Sequence, residues 1–274
     1  MAFGFFATCM TAILRFKASL EESIIINKVS MWNCLGHQKG KSIVKRKDGT
    51  KNIIGPNRPI FVLFGSSIVQ LSCDLHGWGA SLTNLYSRKA DIFLRGYNGW
   101  NSRMALNVYK QIFPKDAKIH PSLVIFYFGG NDSADPKFPL GPNVPLDEYV
   151  ENMRKIALHI KCLSEKTRLI MLSAPAVNEK QLVEYYGDNR GRTNERGKIY
   201  SEAGIKLGQQ LGVPVINLWS ALYERPNVFR DGMHLTKEGS EIVFNKLKDV
   251  ISMAEWEPSL DWNKMPNEFA NING

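Results

Sequence analysis

In RDGMHLT (230–236), Asp231 stands three residues before His234. A tight loop with that spacing lets a carboxylate bond one imidazole nitrogen and leaves the other free to take a proton, which is what a general base with an orienting acid requires. Ser67, in FVLFGSSIVQ (61–70), follows an apolar run that ends at Gly65. A hydroxyl at the tip of such a turn is a candidate nucleophile. Asn131, in GGNDS (129–133), follows the most apolar run of the chain and offers a side-chain amide donor, and Gly99, in GYNGWNS (96–102), offers a backbone N–H that a ligand can approach closely. Each residue has a plainer explanation: an N-cap serine, turn chemistry at Asn-Asp, a loop aspartate beside a surface histidine. As a set, they would supply a nucleophile, a base with its orienter, and oxyanion donors.

What brings them together is the order of elements. PIFVLF (59–64), ADIFLRG (90–96), PSLVIFYFGG (121–130), TRLIMLSAP (167–175) and VPVINLW (213–219) read as short buried strands. Between them lie helix-like stretches: 68–88, broken by glycine, then 102–113, 146–165 and 193–212, with 236–252 closing the series behind Thr236 as N-cap. Strands alternating with helices predict βαβ units, a mainly parallel sheet of about five strands and a three-layer αβα domain over 58–253. Ligands of such sheets bind beyond the carboxyl ends of the strands. Ser67, Gly99, Asn131 and the 230–236 loop all follow strand ends. His120 enters a strand, His76 and His159 lie in helices, and His37 lies in the N-terminal extension.

FGSSIVQ, GWNS, GGND and DGMH, in that order, resemble the four blocks of the SGNH, or GDSL, esterase/lipase superfamily. LRGYNGWNSRMAL and YFGGNDS are most similar to its isoamyl-acetate-hydrolysing esterase branch and the plant GDSL relatives of that branch. The resemblance covers residues 59–252 and implies a flavodoxin-like fold and metal-free, cofactor-free hydrolysis of a small-molecule carboxylic ester. It further implies a triad of Ser67, His234 and Asp231, and an oxyanion hole from the Ser67 and Gly99 N–H groups and the Asn131 amide. In one departure, Ser66 stands where the family block has aspartate, and tuning rather than loss of activity is expected. There is no GxSxG nucleophile elbow at Ser67. A non-catalytic small-molecule binder of the same fold is the alternative.

Composition bounds the remaining options. The chain has 274 residues and is 44% hydrophobic, enough for a sizeable core. Its net charge of +9 is concentrated: residues 1–58 hold ten Lys/Arg against three Asp/Glu, and the rest is nearly balanced. The basic excess therefore belongs to the 1–57 extension, read as flexible or targeting, and no nucleic-acid partner is expected of the body. GHQKGKS (36–42) has one residue too few between its glycines for a phosphate loop, and no strand precedes it. The apolar start, MAFGFFATCMTAIL, is too short to cross a bilayer, so no transmembrane segment is expected. It also lacks a basic n-region; Arg15 and Lys17 suit a transit peptide, and Glu21 and Glu22 do not. Cys9, Cys34, Cys73 and Cys162 form no CxxC pair and no metal-ligand spacing, so free thiols and a reducing, cytoplasmic setting are expected. RGRTNERGK (190–198) brings positive charge near the crevice, either toward an acidic substrate or as a solvated helix start. Asn131-Asp132-Ser133 is also a glycosylation sequon. The 254–274 tail, with Trp256 and Trp262, carries no chemical motif.

Overall fold

The structure is a computed structural model that describes residues 58–139 and 141–272. The 1–57 extension, with its basic segment, lies outside them. Five strands form one sheet: β1 (Ile60–Gly65), β2 (Asp91–Gly96), β3 (Leu123–Tyr127), β4 (Arg168–Leu172) and β5 (Val215–Ile216). All pair in parallel, in the order β2-β1-β3-β4-β5. This is the flavodoxin-like order, whose direction reverses between β1 and β3, and crevices open beyond the strand ends at that reversal.

The sheet is buried on both faces because its central strands are apolar at every position. In β1, Phe61 and Leu63 enter one core, and Val62 and Phe64 the other. In β3, Leu123, Ile125 and Tyr127 alternate in the same way with Val124 and Phe126. The first core is closed by α2 (Trp78–Leu85) and α8 (Lys237–Met253), through Trp78, Leu82, Val243, Leu247 and Ile251. The second is closed by α3 (Ser102–Ile112), α4 (Leu146–Lys161) and α6 (Asn194–Leu211), through Ala105, Met153, Ile156, Leu207 and Leu211. The expected cap is present: Thr236 accepts from the Gly239 N–H at 3.2 Å.

Three elements differ from the sequence reading. The fifth strand keeps only Val215 and Ile216, because the Asn217 side chain accepts from the Ser220 N–H at 3.0 Å and starts a short helix, α7 (Leu218–Leu222). The stretch between 175 and 193, assigned neither strand nor helix from the sequence, contains α5 (Glu179–Tyr186), which is capped by Asn178 and stopped by Gly187 at φ +81°. The helical start after β1 is one turn, α1 (Ser67–Gln70), followed by a 3₁₀ turn. The free-thiol reading holds for Cys73, which is exposed, and not for Cys162; Cys9 and Cys34 lie outside the described residues.

The tail packs on the first core. Leu260 and Met265 are buried there. The Tyr86 hydroxyl donates to the Leu260 carbonyl at 2.7 Å, and Lys89 Nζ to that of Met265 at 2.7 Å.

Candidate active site

The chain leaves β1 through Gly65, where an added Cβ would lie 2.6 Å from the Tyr127 carbonyl oxygen and 2.5 Å from Val69 Cγ2. Only glycine lets this turn press so closely on β3. Ser66 is the N-cap of α1 by backbone position, its carbonyl accepting from Val69 and Gln70 at 3.0 and 2.9 Å, but neither it nor Ser67 caps the helix with its side chain. The plain N-cap reading of these serines therefore fails on geometry. Ser66 is buried and lines the same pocket as Tyr127. Ser67 lines that pocket with Ile68, Asn131, Pro175, Arg192 and Met233.

The 230–236 loop holds the acid and the imidazole in contact. His234 Nδ1 lies 2.5 Å from Asp231 Oδ2. Asp231 Oδ1 accepts from the Met233 and His234 N–H groups at 3.0 and 2.8 Å, and Oδ2 also accepts from the Tyr186 hydroxyl at 2.8 Å. Burial alone would raise this carboxyl. The hydrogen bonds from the His234 ring and from the two backbone N–H groups outweigh it and hold the group far below the usual carboxylate range. In turn, burial and the bond to Asp231 push the Tyr186 phenol up to about 12. Since Nδ1 faces the carboxylate, Nε2 is the nitrogen left for other work.

Asn131 and Asp132 follow β3 in a turn that Gly129 enters at φ +126°. Asp132 is fully buried and joins two loops, Oδ1 accepting from the Ser102 N–H at 2.9 Å and Oδ2 from that of Gly129 at 3.1 Å. Burial raises its pKa to about 6, against the pull of the Ser102 and Gly129 donors. Asn131 Nδ2 donates to the Trp100 carbonyl at 2.8 Å, while its Oδ1 accepts from Arg192 Nη2 at 2.6 Å. With Asn131 only 8% exposed and its amide already bonded, this sequon leaves no room for a glycan in the folded chain.

Gly99 adopts φ +78°, is exposed, and lies next to Trp100, but it does not line the pocket. Ser67 and Asn131 share the pocket with Met233, the chain neighbour of His234; His234 itself is not among the lining residues. Among the described residues no hydrogen bond joins Ser67 to His234, a looseness common in sites without substrate. His120 lines a separate hollow with Ile60 and Pro121, at the opposite ends of the strands. Among the described residues no group of three or more His, Cys, Asp or Glu could hold a metal. Sequence reasoning missed Tyr186 and saw in Arg192 only its charge. The signals available for the first were the Asn178 cap and the Gly187 stop of α5.

A chain able to place a serine hydroxyl, an acid-held imidazole and an amide donor at one sheet edge can carry out acyl transfer. Comparison with known proteins leads to the same chemistry. The model of the GDSL-like Lipase/Acylhydrolase family matches residues 63–242. The chain is 53% identical to GDSL esterase/lipase WDL1 of Oryza sativa subsp. japonica, over 78% of this chain and 85% of that one. It is 52% identical to GDSL esterase/lipase CPRD49 of Arabidopsis thaliana, over 80% and 89%. An isoamyl acetate-hydrolyzing esterase 1 homolog of Bos taurus is 32% identical, over 70% and 81%. The plant and isoamyl-acetate resemblances read from the motifs therefore hold. In structure, the lipase/acylhydrolase of Enterococcus faecalis superposes with a TM-score of 0.54 at 20% identity, covering 70% of this chain and 96% of that one. An acetylxylan esterase of Geobacillus stearothermophilus gives 0.55 at 17% identity, over 72% and 94%. These two likenesses speak for the fold alone. By its family model and its relatives of more than half identity, the chain belongs to the GDSL-like lipase/acylhydrolase family of carboxylic ester hydrolases.

Proposed function

We propose that this chain hydrolyses short- to medium-chain acyl or acetyl esters through a Ser67–His234–Asp231 triad. The supporting observation is the 2.5 Å contact of His234 Nδ1 with an Asp231 carboxylate that three further donors fix in place. His234 Nε2 takes the Ser67 proton as Oγ attacks the ester carbonyl carbon. The carbonyl π pair moves onto oxygen, where the Ser67 N–H and Asn131 Nδ2 receive it; the Gly99 N–H, expected as a third donor, lies outside the pocket lining. As the pair returns, the alkoxide leaves and takes the proton from His234, giving an acyl-Ser67 ester and free alcohol. Water then repeats the sequence: His234 accepts its proton, hydroxide adds to the acyl carbon, and Ser67 leaves with the proton restored.

The proposed substrate range is supported by the pocket, whose apolar wall is made of Ile68, Pro175, Val177 and Met233 beside Ser67, and by relatives named for isoamyl acetate hydrolysis. The test is fluorophosphonate labelling together with an acyl-length series of chromogenic esters. Expected are a single adduct on Ser67, its loss in Ser67→Ala and strong reduction in His234→Ala, and highest kcat/KM at short to medium acyl length. Intact protein that takes no selective label and turns over no ester would return the non-catalytic binder.

A further inference from the structure

We propose that Arg192 is a positioning residue that orients and polarises the Asn131 amide; this rests on the reading of Asn131 as an oxyanion donor. An asparagine amide has two faces of similar shape and opposite hydrogen-bonding sense. Here its neighbours permit only one orientation. The Trp100 carbonyl can only accept, and it lies 2.8 Å from Nδ2; the Arg192 guanidinium can only donate, and Nη2 lies 2.6 Å from Oδ1. A flipped amide would set carbonyl against carbonyl and NH2 against a cation. Both partners thus hold the same state, in which one Nδ2–H is bonded to Trp100 and the second remains for a ligand in the pocket that Ser67, Asn131 and Arg192 share.

The charge matters as well as the geometry. The Arg192 guanidinium makes two hydrogen bonds, to Asn131 Oδ1 and to the Arg190 carbonyl at 2.8 Å, and has no carboxylate within ion-pair distance among the described residues. Cations in partly buried positions are ordinarily matched by an acid. With no acid in direct contact and Asp231 facing it only at longer range, this one draws electron density through Oδ1 and strengthens Nδ2–H as a donor, an effect that grows as negative charge develops on the substrate oxygen. Backbone contacts hold the segment that carries the guanidinium: the Gly191 carbonyl accepts from the Asp135 N–H at 2.6 Å, and the Arg192 N–H donates to the Asn189 carbonyl at 2.9 Å.

The experiment is a double-mutant cycle on purified protein with a neutral chromogenic ester and one that carries an anionic acyl group, melting temperatures being recorded for every variant. Arg192→Met is expected to lower kcat by about 10–100-fold with KM within about 3-fold. In the Asn131→Ala background the same substitution is expected to change kcat by less than about 2-fold, because the group it acts through is gone. Arg192→Lys, which keeps charge without the fork, is expected to fall between wild type and Arg192→Met and to cover the case in which the methionine variant does not fold. Equal losses in both backgrounds, a change in KM alone, or a loss confined to esters with an anionic acyl group would each overturn the proposal. Ester turnover that survives Ser67→Ala would instead overturn the esterase reading on which it rests.

Discussion

Replacing Asp231 by asparagine tests the triad with little change in shape. The side chain has two demands on each oxygen. At Oδ1 it faces the Met233 and His234 N–H groups, and at Oδ2 it faces the Tyr186 hydroxyl and His234 Nδ1. An asparagine must turn its carbonyl toward the two backbone donors, since NH2 there would meet two N–H groups. Its NH2 then faces His234, so Nδ1 becomes the acceptor and the ring proton moves to Nε2. The nitrogen that should deprotonate Ser67 then carries a proton itself. The same substitution in a serine protease triad costs about 10⁴ in turnover through the wrong tautomer, which corresponds to about 5.5 kcal/mol of barrier. Both backbone bonds survive, so the melting temperature should stay close to that of wild type. By contrast, Asp231→Ala removes them and should also cost about 3 kcal/mol of stability, two charge-assisted hydrogen bonds being at stake. The assay is steady-state turnover of a chromogenic ester alongside thermal melts of the three proteins. An asparagine variant within about tenfold of wild-type kcat would refute the reasoning, because no arrangement of that amide leaves Nε2 free while satisfying the loop.

Further outcomes follow from the same geometry. Asn131→Ala should lower kcat by about 10²–10³ with KM within a few-fold, since the lost donor acts where charge develops; unchanged kcat would remove Asn131 from the oxyanion hole. Ser67→Ala should abolish turnover in a folded protein while Ser66→Ala keeps substantial activity, and the reverse pattern in labelling and turnover would move the nucleophile by one residue. Asp132, raised to about 6 by burial, binds its proton more tightly folded than unfolded. Its contribution is therefore full below about pH 4 and lost as pH rises through about 6, worth about 1 kcal/mol between pH 5 and pH 7. Wild type should accordingly gain about 2–4 °C in melting temperature over Asp132→Asn on going from pH 7 to pH 5, and a constant gap would contradict the assignment. Tyr86→Phe should cost about 1–3 kcal/mol in urea unfolding by stranding the buried Leu260 carbonyl, without touching kcat; a neutral result would mean that the tail does not depend on this bond.

The layers and the parallel pairing could be read from the sequence because they rest on local pattern. Runs such as LVIFY over 123–127 are apolar at every position, and a sheet covered on both sides accepts only such runs. The Asp231–His234 pair was legible for a similar reason, its partners being three residues apart. Tyr186 and Arg192 meet their partners across 45 and 61 residues, and nothing local to either position marks those contacts. Helix α5 went unread although Asn178 and Gly187 bracket it, because its eight residues bury only Leu182 and show little of the periodicity that reveals a helix. The fifth strand was overread for the opposite reason: VPVINLW is apolar enough for a strand, yet Asn217 turns the chain into α7 after two paired residues.

The short stretch from Tyr186 to Arg192 ties the two halves of the site to one piece of backbone. At one end it bonds the acid behind the imidazole, and at the other the amide oxygen of Asn131. Between them, Arg190 lies over the rings of Tyr186 and Phe138 and gives its carbonyl to Arg192. Loops near a pocket are the usual ground for altering substrate preference, since they tolerate change better than the scaffold does. This one is poor ground. An insertion between 187 and 191 that widened the acyl side would shift proton acceptance and charge stabilisation together, so selectivity could not be retuned there without a loss of turnover. The 134–147 stretch offers no way round it: Asp135 donates its N–H to the Gly191 carbonyl at 2.6 Å and Phe138 lies beneath Arg190, so changes there would reach the same piece of backbone.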